Sequence, residues 1–276
     1  MAGPRSPVLN VMSGAAKRVG RQLVRDYGEV EKLQVSIKGP ADFVSSADRK
    51  ADRALRDHLG KARPGWGFLT EEGVEIQGSD SDNRWIIDPL DGTTNFLHGL
   101  PHFAISIAHQ RGKEIVAGLI YDPLRDEAFA AEKGAGAYLN DQRLRVSARR
   151  TLAESVIATG IPTIRGAETI MPFMKQLAMV SDKVSAIRRF GSAALDLAYV
   201  AAGRYDGYWE TDLHAWDIAA GLVLVREAGG FVTDLAGRGT MLDSGAVLAT
   251  NPDLHQPLLG LLKNAAKLPD WPETGL

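Results

Sequence analysis

The chain has 276 residues, 45% hydrophobic and 24% charged, with 32 Lys+Arg against 34 Asp+Glu for a formal net charge of -2. This is ordinary globular composition, which excludes a disordered, collagen-like or coiled-coil chain, and near neutrality supplies no drive toward nucleic acid or an anionic membrane. The absence of cysteine excludes disulfides, thiolate zinc sites, iron–sulfur clusters and a cysteine nucleophile.

A first helix is predicted from Pro7. Ser6 is a cap residue, Val8, Met12, Ala15, Val19 and Leu23 recur at helical spacing, and Gly28 offers a stop. A second helix is predicted over Asp48–Leu59. Trp66–Leu69 and Trp85–Ile87 read as short buried strands, each running into an acidic loop. Phe103–Ala108, Ile115–Tyr121, Ala128–Glu132 and Ala137–Leu139 read as antiparallel-type strands punctuated by turn residues.

Past Arg150 the pattern alternates. Strands are predicted at Val156–Thr159, Val184–Arg188, Gly207–Trp209, Gly230–Thr233 and Ala246–Ala249. Helices are predicted at Ala167–Val180, Ser192–Ala202, Asp217–Ala228 and Pro252–Ala266. No linker-like composition divides the halves. The expectation is one α/β domain over 1–276, with an α+β lobe over about 1–150 and an α/β lobe over about 151–276. The N-terminal residues lack a secretory pattern and the apolar runs are far below a membrane span, so a cytoplasmic location is expected.

Three segments carry chemistry. In Trp85-Ile86-Ile87-Asp88-Pro89-Leu90-Asp91-Gly92-Thr93-Thr94 an apolar strand delivers Asp88. Pro89 is expected to force a turn that brings Asp91 close, and Thr93 to open a helix whose free N–H groups attract an anion. Leu69-Thr70-Glu71-Glu72 ends a strand in adjacent acids, and His214-Ala215-Trp216-Asp217 places an acid at a helix start. Alone, each is also an Asx turn, a solvated loop or a helix cap. Together, Glu71, Asp88, Asp91 and Asp217 offer only hard oxygen ligands, which select Mg²⁺ or Mn²⁺ over zinc or copper.

These segments resemble the signatures of the inositol monophosphatase family. Asp88-Pro89-Leu90-Asp91-Gly92-Thr93-Thr94-Asn95-Phe96 looks like the first, and Trp216-Asp217-Ile218-Ala219-Ala220-Gly221 followed by Glu227-Ala228-Gly229-Gly230 looks like the second. The resemblance implies a layered αβαβα sandwich, as in fructose-1,6-bisphosphatase, and a homodimer. It implies Mg²⁺-dependent, lithium-sensitive hydrolysis of inositol monophosphates by direct attack of metal-activated water, with two to three ions and Mn²⁺ able to substitute. Glu71, Asp88 and the Leu90 carbonyl would hold one ion, and Asp88, Asp91 and Asp217 a second. Glu71 and waters would hold a weaker third. Thr93, backed by Asp48, would orient and deprotonate the water, though Asp48 also reads as a cap of the second helix.

The phosphate and polyol are expected at Asp91, Gly92, Thr93, Gly191, Ser192, Ala193 and Glu210, with Lys38 near the cluster. His214 is expected to pack. Arg149-Arg150 and Arg188-Arg189 are expected on solvated faces or a dimer contact. Alternative substrates of the same class are 3′-phosphoadenosine 5′-phosphate, fructose-1,6-bisphosphate and histidinol phosphate. An alternative of another class is a regulatory RNA- or partner-binding protein that retains the fold.

Overall fold

Two sheets and three helical layers alternate in the computed structural model, which describes residues 6–29, 35–39, 42–162 and 167–269, with backbone only for 35–39, 42–45 and 167–169. The outermost layer is α1 (Pro7–Tyr27) and α2 (Ser46–Ala62). The Ser6 hydroxyl accepts from the Leu9 amide at 3.2 Å, as its cap position requires. Met12, Val19 and Leu23 of α1 and Leu55 and Leu59 of α2 are buried on the first sheet. Burying a side chain of this size is worth about 1.5–3 kcal/mol.

That sheet has the order β3-β4-β5-β6-β7-β8-β9. Its strands are β3 (Trp66–Thr70), β4 (Asp80–Asp91), β5 (Ala104–Arg111), β6 (Glu114–Asp122), β7 (Glu127–Glu132), β8 (Gly136–Leu139) and β9 (Gln142–Arg143). β3 and β4 are parallel, so their carboxyl ends lie together; the remaining pairs are antiparallel. A β1–β2 hairpin (Val35–Gly39, Asp42–Ser45) precedes α2 and is not among the predicted elements.

The inner helices α5 (Ala193–Ala201) and α6 (Ala215–Glu227) lie between the two sheets. Both are mostly apolar, as burial between two sheets favours, with Asp196 of α5 the buried exception and the polar residues of α6 confined to its ends. The second sheet has the order β11-β10-β12-β14-β13, from β10 (Val156–Thr159), β11 (Ala186–Arg188), β12 (Gly207–Glu210), β13 (Phe231–Thr233) and β14 (Val247–Thr250). β10 pairs β11 and β12 in parallel through helical crossovers, while β14 runs antiparallel to β12 and β13. Its outer face is covered by α4 (Ala167–Ser181) and α8 (His255–Ala265) through Phe173, Val180, Leu258 and Leu262. The result is the expected αβαβα sandwich. Ile86, Ala108 and Phe129 of the first sheet and Tyr208, Val247 and Ala249 of the second belong to one continuous core around α5 and α6.

The expected turn at Pro89 is instead a β-bulge. Asp88 pairs with Ser106 and Asp91 with Ala104, so two residues of β4 lie opposite the single Ile105. Pro89 has no N–H to lose from the ladder at such a point. Residues three apart normally face opposite sides of a strand; the extra residue restores parity. Asp88 and Asp91 therefore both face the α5/α6 layer, with Ser106 and Ala104.

Candidate active site

The parallel ends of β3 and β4 bring Glu71 and Asp88 together. The Glu71 amide donates to the Ile87 carbonyl at 3.3 Å, which fixes the acidic loop beside the strand delivering Asp88. Asp88 is 1% exposed and Asp91 9%. Asp88 Oδ1 accepts the Leu90 amide at 2.9 Å across the bulge. Burial pushes the Asp88 carboxyl well above the ordinary range, and Glu71, Asp91, Asp217 and Asp48 push the same way. Asp91 is pushed up to about 7, chiefly by burial, against the hydrogen bond from Ser192.

Gly92 caps a one-turn helix, α3 (Thr93–Leu97), with φ 89°. A Cβ there would stand 2.9 Å from the His102 carbonyl, so glycine is required twice over. The helix has only five residues, less of an anion site than a long helix offers. The Thr93 hydroxyl lies 2.9 Å from the Leu90 carbonyl and 3.4 Å from Asp48 Oδ2. Asp48 is the third residue of α2, in its first turn, and is 1% exposed.

Asp217 is the third residue of α6, and its Oδ2 accepts the His214 amide at 2.7 Å. It therefore closes the capping box of its helix while its charge acts on Asp88. His214 does not pack in the core; it is exposed, stacked on Trp216 at 4.7 Å. Its pKa is raised by hydrogen bonding to Asp217.

Ser192 caps α5, and its hydroxyl donates to Asp91 Oδ2, which also accepts the Ala194 amide at 2.9 Å. Gly191 turns with φ 80°. Asn95, on α3, donates to the carbonyls of His102 at 2.8 Å and Phe190 at 2.7 Å, which ties the signature turn to the Gly191-Ser192-Ala193 loop. Glu210 ends β12 and is pushed up to about 7 by burial, with Asp217 and Asp91 adding to the rise and the Tyr208 hydroxyl opposing it. The Lys38 side chain lies outside the described residues.

Among the described residues, the carboxylate oxygens that all lie within 4.8 Å of one another are those of Asp48, Glu71 and Glu72. Asp88, Asp91 and Asp217 do not join that trio at this spacing, though Glu71, Asp91, Asp217 and Asp48 all act electrostatically on Asp88. Glu72 was absent from the expected ligand set, and no sequence signal separates it from its neighbour Glu71. Buried carboxyls that raise one another's pKa, with only oxygen donors, suit a hard divalent cation, which would lower them all.

Two sequence features resolve elsewhere. The Gly134 and Gly136 amides donate to the Glu227 carboxylate at 2.9 and 2.8 Å, so this glycine stretch anchors a strand connection. Arg149 is not merely solvated: it pairs with the buried Asp206 at 3.1 Å.

The family model described as the inositol monophosphatase family matches residues 5–267. An inositol-1-monophosphatase of Mesorhizobium japonicum is 57% identical over 259 residues, covering 94% of this chain and 97% of that protein. The Nus factor SuhB of Escherichia coli K12 is 42% identical over 259 residues, 94% and 96% of the two chains. The crystal structure of extragenic suppressor protein suhB from Bartonella henselae superposes with a TM-score of 0.91 at 57% identity, over 94% of this chain and 99% of that one. With the signatures in order and the sandwich formed around them, the chain belongs to the inositol monophosphatase family.

Proposed function

We propose that this chain is a Mg²⁺-dependent phosphatase that hydrolyses inositol monophosphates to inositol and phosphate. The observation that carries the reading is the convergence of Glu71, Asp91, Asp217 and Asp48 on the buried Asp88, whose carboxyl they push up. Such a cluster is costly unless a cation neutralises it. Glu71, Asp88, the Leu90 carbonyl, Asp91 and Asp217 would hold two to three ions. When bound, magnesium would supply Lewis-acid charge at phosphorus and orient the ester.

The chain's own residues do the rest. The Gly92 and Thr93 amides hold phosphate oxygens. The Thr93 hydroxyl, in reach of Asp48, orients the attacking water and passes its proton toward that carboxylate. Glu210, beside the Ser192 loop, accepts a polyol hydroxyl. Inositol-1-monophosphatase relatives above 50% identity support the polyol over the nucleotide, bisphosphate and histidinol alternatives.

The homodimer, lithium sensitivity and cytoplasmic location belong to the same reading. Exposed Phe190 next to Arg188 and Arg189 suits the dimer contact. No helix among the described residues is long and apolar enough to cross a membrane. We read residues 1–276 as one phosphatase domain, supported by the core around α5 and α6 to which both sheets contribute. The relative named a Nus factor favours a second, partner-binding role compatible with catalysis.

The test is Asp88→Asn. The variant is expected to fold and to lose phosphate release from inositol 1-phosphate by at least about 10³-fold. Near-normal turnover would remove the assignment, and a stronger preference of the wild type for 3′-phosphoadenosine 5′-phosphate would replace the substrate.

A further inference from the structure

A cavity of about 750 Å³ opens between the first sheet and α6, on the opposite side of β3 and β4 from α1 and α2. Its floor is apolar: Ile86, Ile115, Leu222 and Met241 line it and are all buried. Its placement follows from register. Leu69, Ile86 and Arg84, Gln110 and Ile115 stand on one face of four neighbouring strands, and Ala215, Leu222 and Arg226 on one stripe of α6. α7 (Met241–Ser244) closes one end.

The mouth is charged. Glu114 is taken by Lys133, and Arg84 is held by Glu75 at 2.8 Å and by Gln110 at 2.7 Å. Arg226 and Lys113 line the cavity without an ion pair or side-chain hydrogen bond among the described residues; the lining acids are Asp243 and Glu114, the latter paired with Lys133 and acting on Arg226 only from beyond ion-pair distance. Two cations with no ion pair of their own, over an apolar floor, match an anionic head on an apolar body, and the volume is that of a small-molecule site.

We propose that this cavity binds a small organic anion carrying an apolar body of one or two rings, at a site separate from the phosphate turn. The anion sits between Arg226 and Lys113 and the apolar part on Ile86, Leu222 and Met241. Its walls include β3, which leads into Glu71, β4, which carries Asp88, and α6, whose first turn carries Asp217. An occupant therefore bridges the first sheet to the helix carrying Asp217.

The test uses the full chain and 8-anilinonaphthalene-1-sulfonate, an apolar ring system with one sulfonate, followed by fluorescence. The expected result is saturable binding with one site per chain. Arg226→Glu and Lys113→Glu, both on exposed side chains, are expected to weaken it at least tenfold with melting unchanged. Arg25→Glu, on the far face of α1, is expected to leave it unchanged. Absence of a saturable component, or equal affinity in Arg226→Glu and wild type, overturns the site. The readout is independent of phosphatase activity, so it stands or falls apart from the proposed reaction.

Discussion

Ser192 donates its hydroxyl to Asp91 Oδ2 from 101 positions away in sequence. The same serine oxygen accepts the Leu195 amide at 3.3 Å, so one side chain caps α5 and holds an acid of the β4 bulge. That hydrogen bond opposes the burial that pushes Asp91 up to about 7. Ser192→Ala removes a cap, worth about 1 kcal/mol, and a bond to a carboxylate, worth about 1.5–3 kcal/mol.

The variant should therefore melt lower and hold Asp91 protonated to higher pH. A protonated Asp91 is a poor cation ligand, so the Mg²⁺ concentration for half-maximal phosphate release should rise at pH 7. The defect should shrink at pH 8.5, where the carboxyl ionises regardless. A magnesium titration at the two pH values checks this, and an equal defect at both would detach Asp91 from the metal.

The acids that crowd the site make the metal-free protein pH-sensitive. Asp88 is held well above the carboxylate range, and Asp91 and Glu210 at about 7, first by burial in each case. Between about pH 4 and 7 the folded chain therefore binds more protons at these groups than the unfolded chain. Their contribution to stability is present below the ordinary carboxylate pKa and is lost as pH rises through 7. In EDTA the melting temperature should fall from pH 5 to pH 8 by at least about 3 °C, the equivalent of ~1 kcal/mol at this chain length. Excess Mg²⁺ should recover it at pH 8 by mass action. A metal-free melting temperature that is flat or rising over that range would contradict the burial of these carboxyls.

Thr93 stands where the bulge and the Gly92 turn place its hydroxyl between Leu90 and Asp48. Thr93→Val keeps the branched shape and removes the hydroxyl. The turnover number is expected to fall by about 10²-fold or more, the usual worth of a positioned proton-transfer group, with KM changed little. Thr93→Ser should restore most of the rate, because the hydroxyl and its two acceptors remain. A purely structural role for Thr93 would reverse the order, with valine tolerated better than serine.

Much of this was legible in the sequence because the governing signals are local. Ser6 and Pro7 mark the start of α1, alternation marks β5, and turn residues set off β6, β7 and β8. Asp88, Asp91 and Asp217 stand out because acids at strand ends and helix starts interrupt apolar runs. The β4 bulge was not legible, since Asp-Pro-Leu-Asp encodes a turn as readily as an extra residue. Its role depends on Ile105, ten or more positions away on the neighbouring strand. The grouping of Glu72 with Asp48 and Glu71 was hidden for the same reason: it depends on how the loop after β3 meets α2. The inter-sheet cavity needs five elements in register and has no linear signature.

Gly160, just past β10, likewise carries no local signal in the sequence. A Cβ there would lie 1.8 Å from Glu210 Oε1 and 1.9 Å from its Cδ. The glycine therefore has no conformational role at this point; it makes room for the Glu210 carboxyl, which the Tyr208 hydroxyl holds from the other side. Gly160→Ala must displace that carboxyl from the place proposed for the polyol, while leaving Asp88, Asp91 and Thr93 in place. The KM for inositol 1-phosphate should rise about tenfold, which is ~1.4 kcal/mol, and Glu210→Gln should move it the same way. Turnover of p-nitrophenyl phosphate, which offers no polyol hydroxyl, should stay within about twofold, since only uniform binding to the alcohol is lost. Equal losses on both substrates would mean that the substitution disturbs the metal acids, and Glu210 would then lose its role in choosing the alcohol.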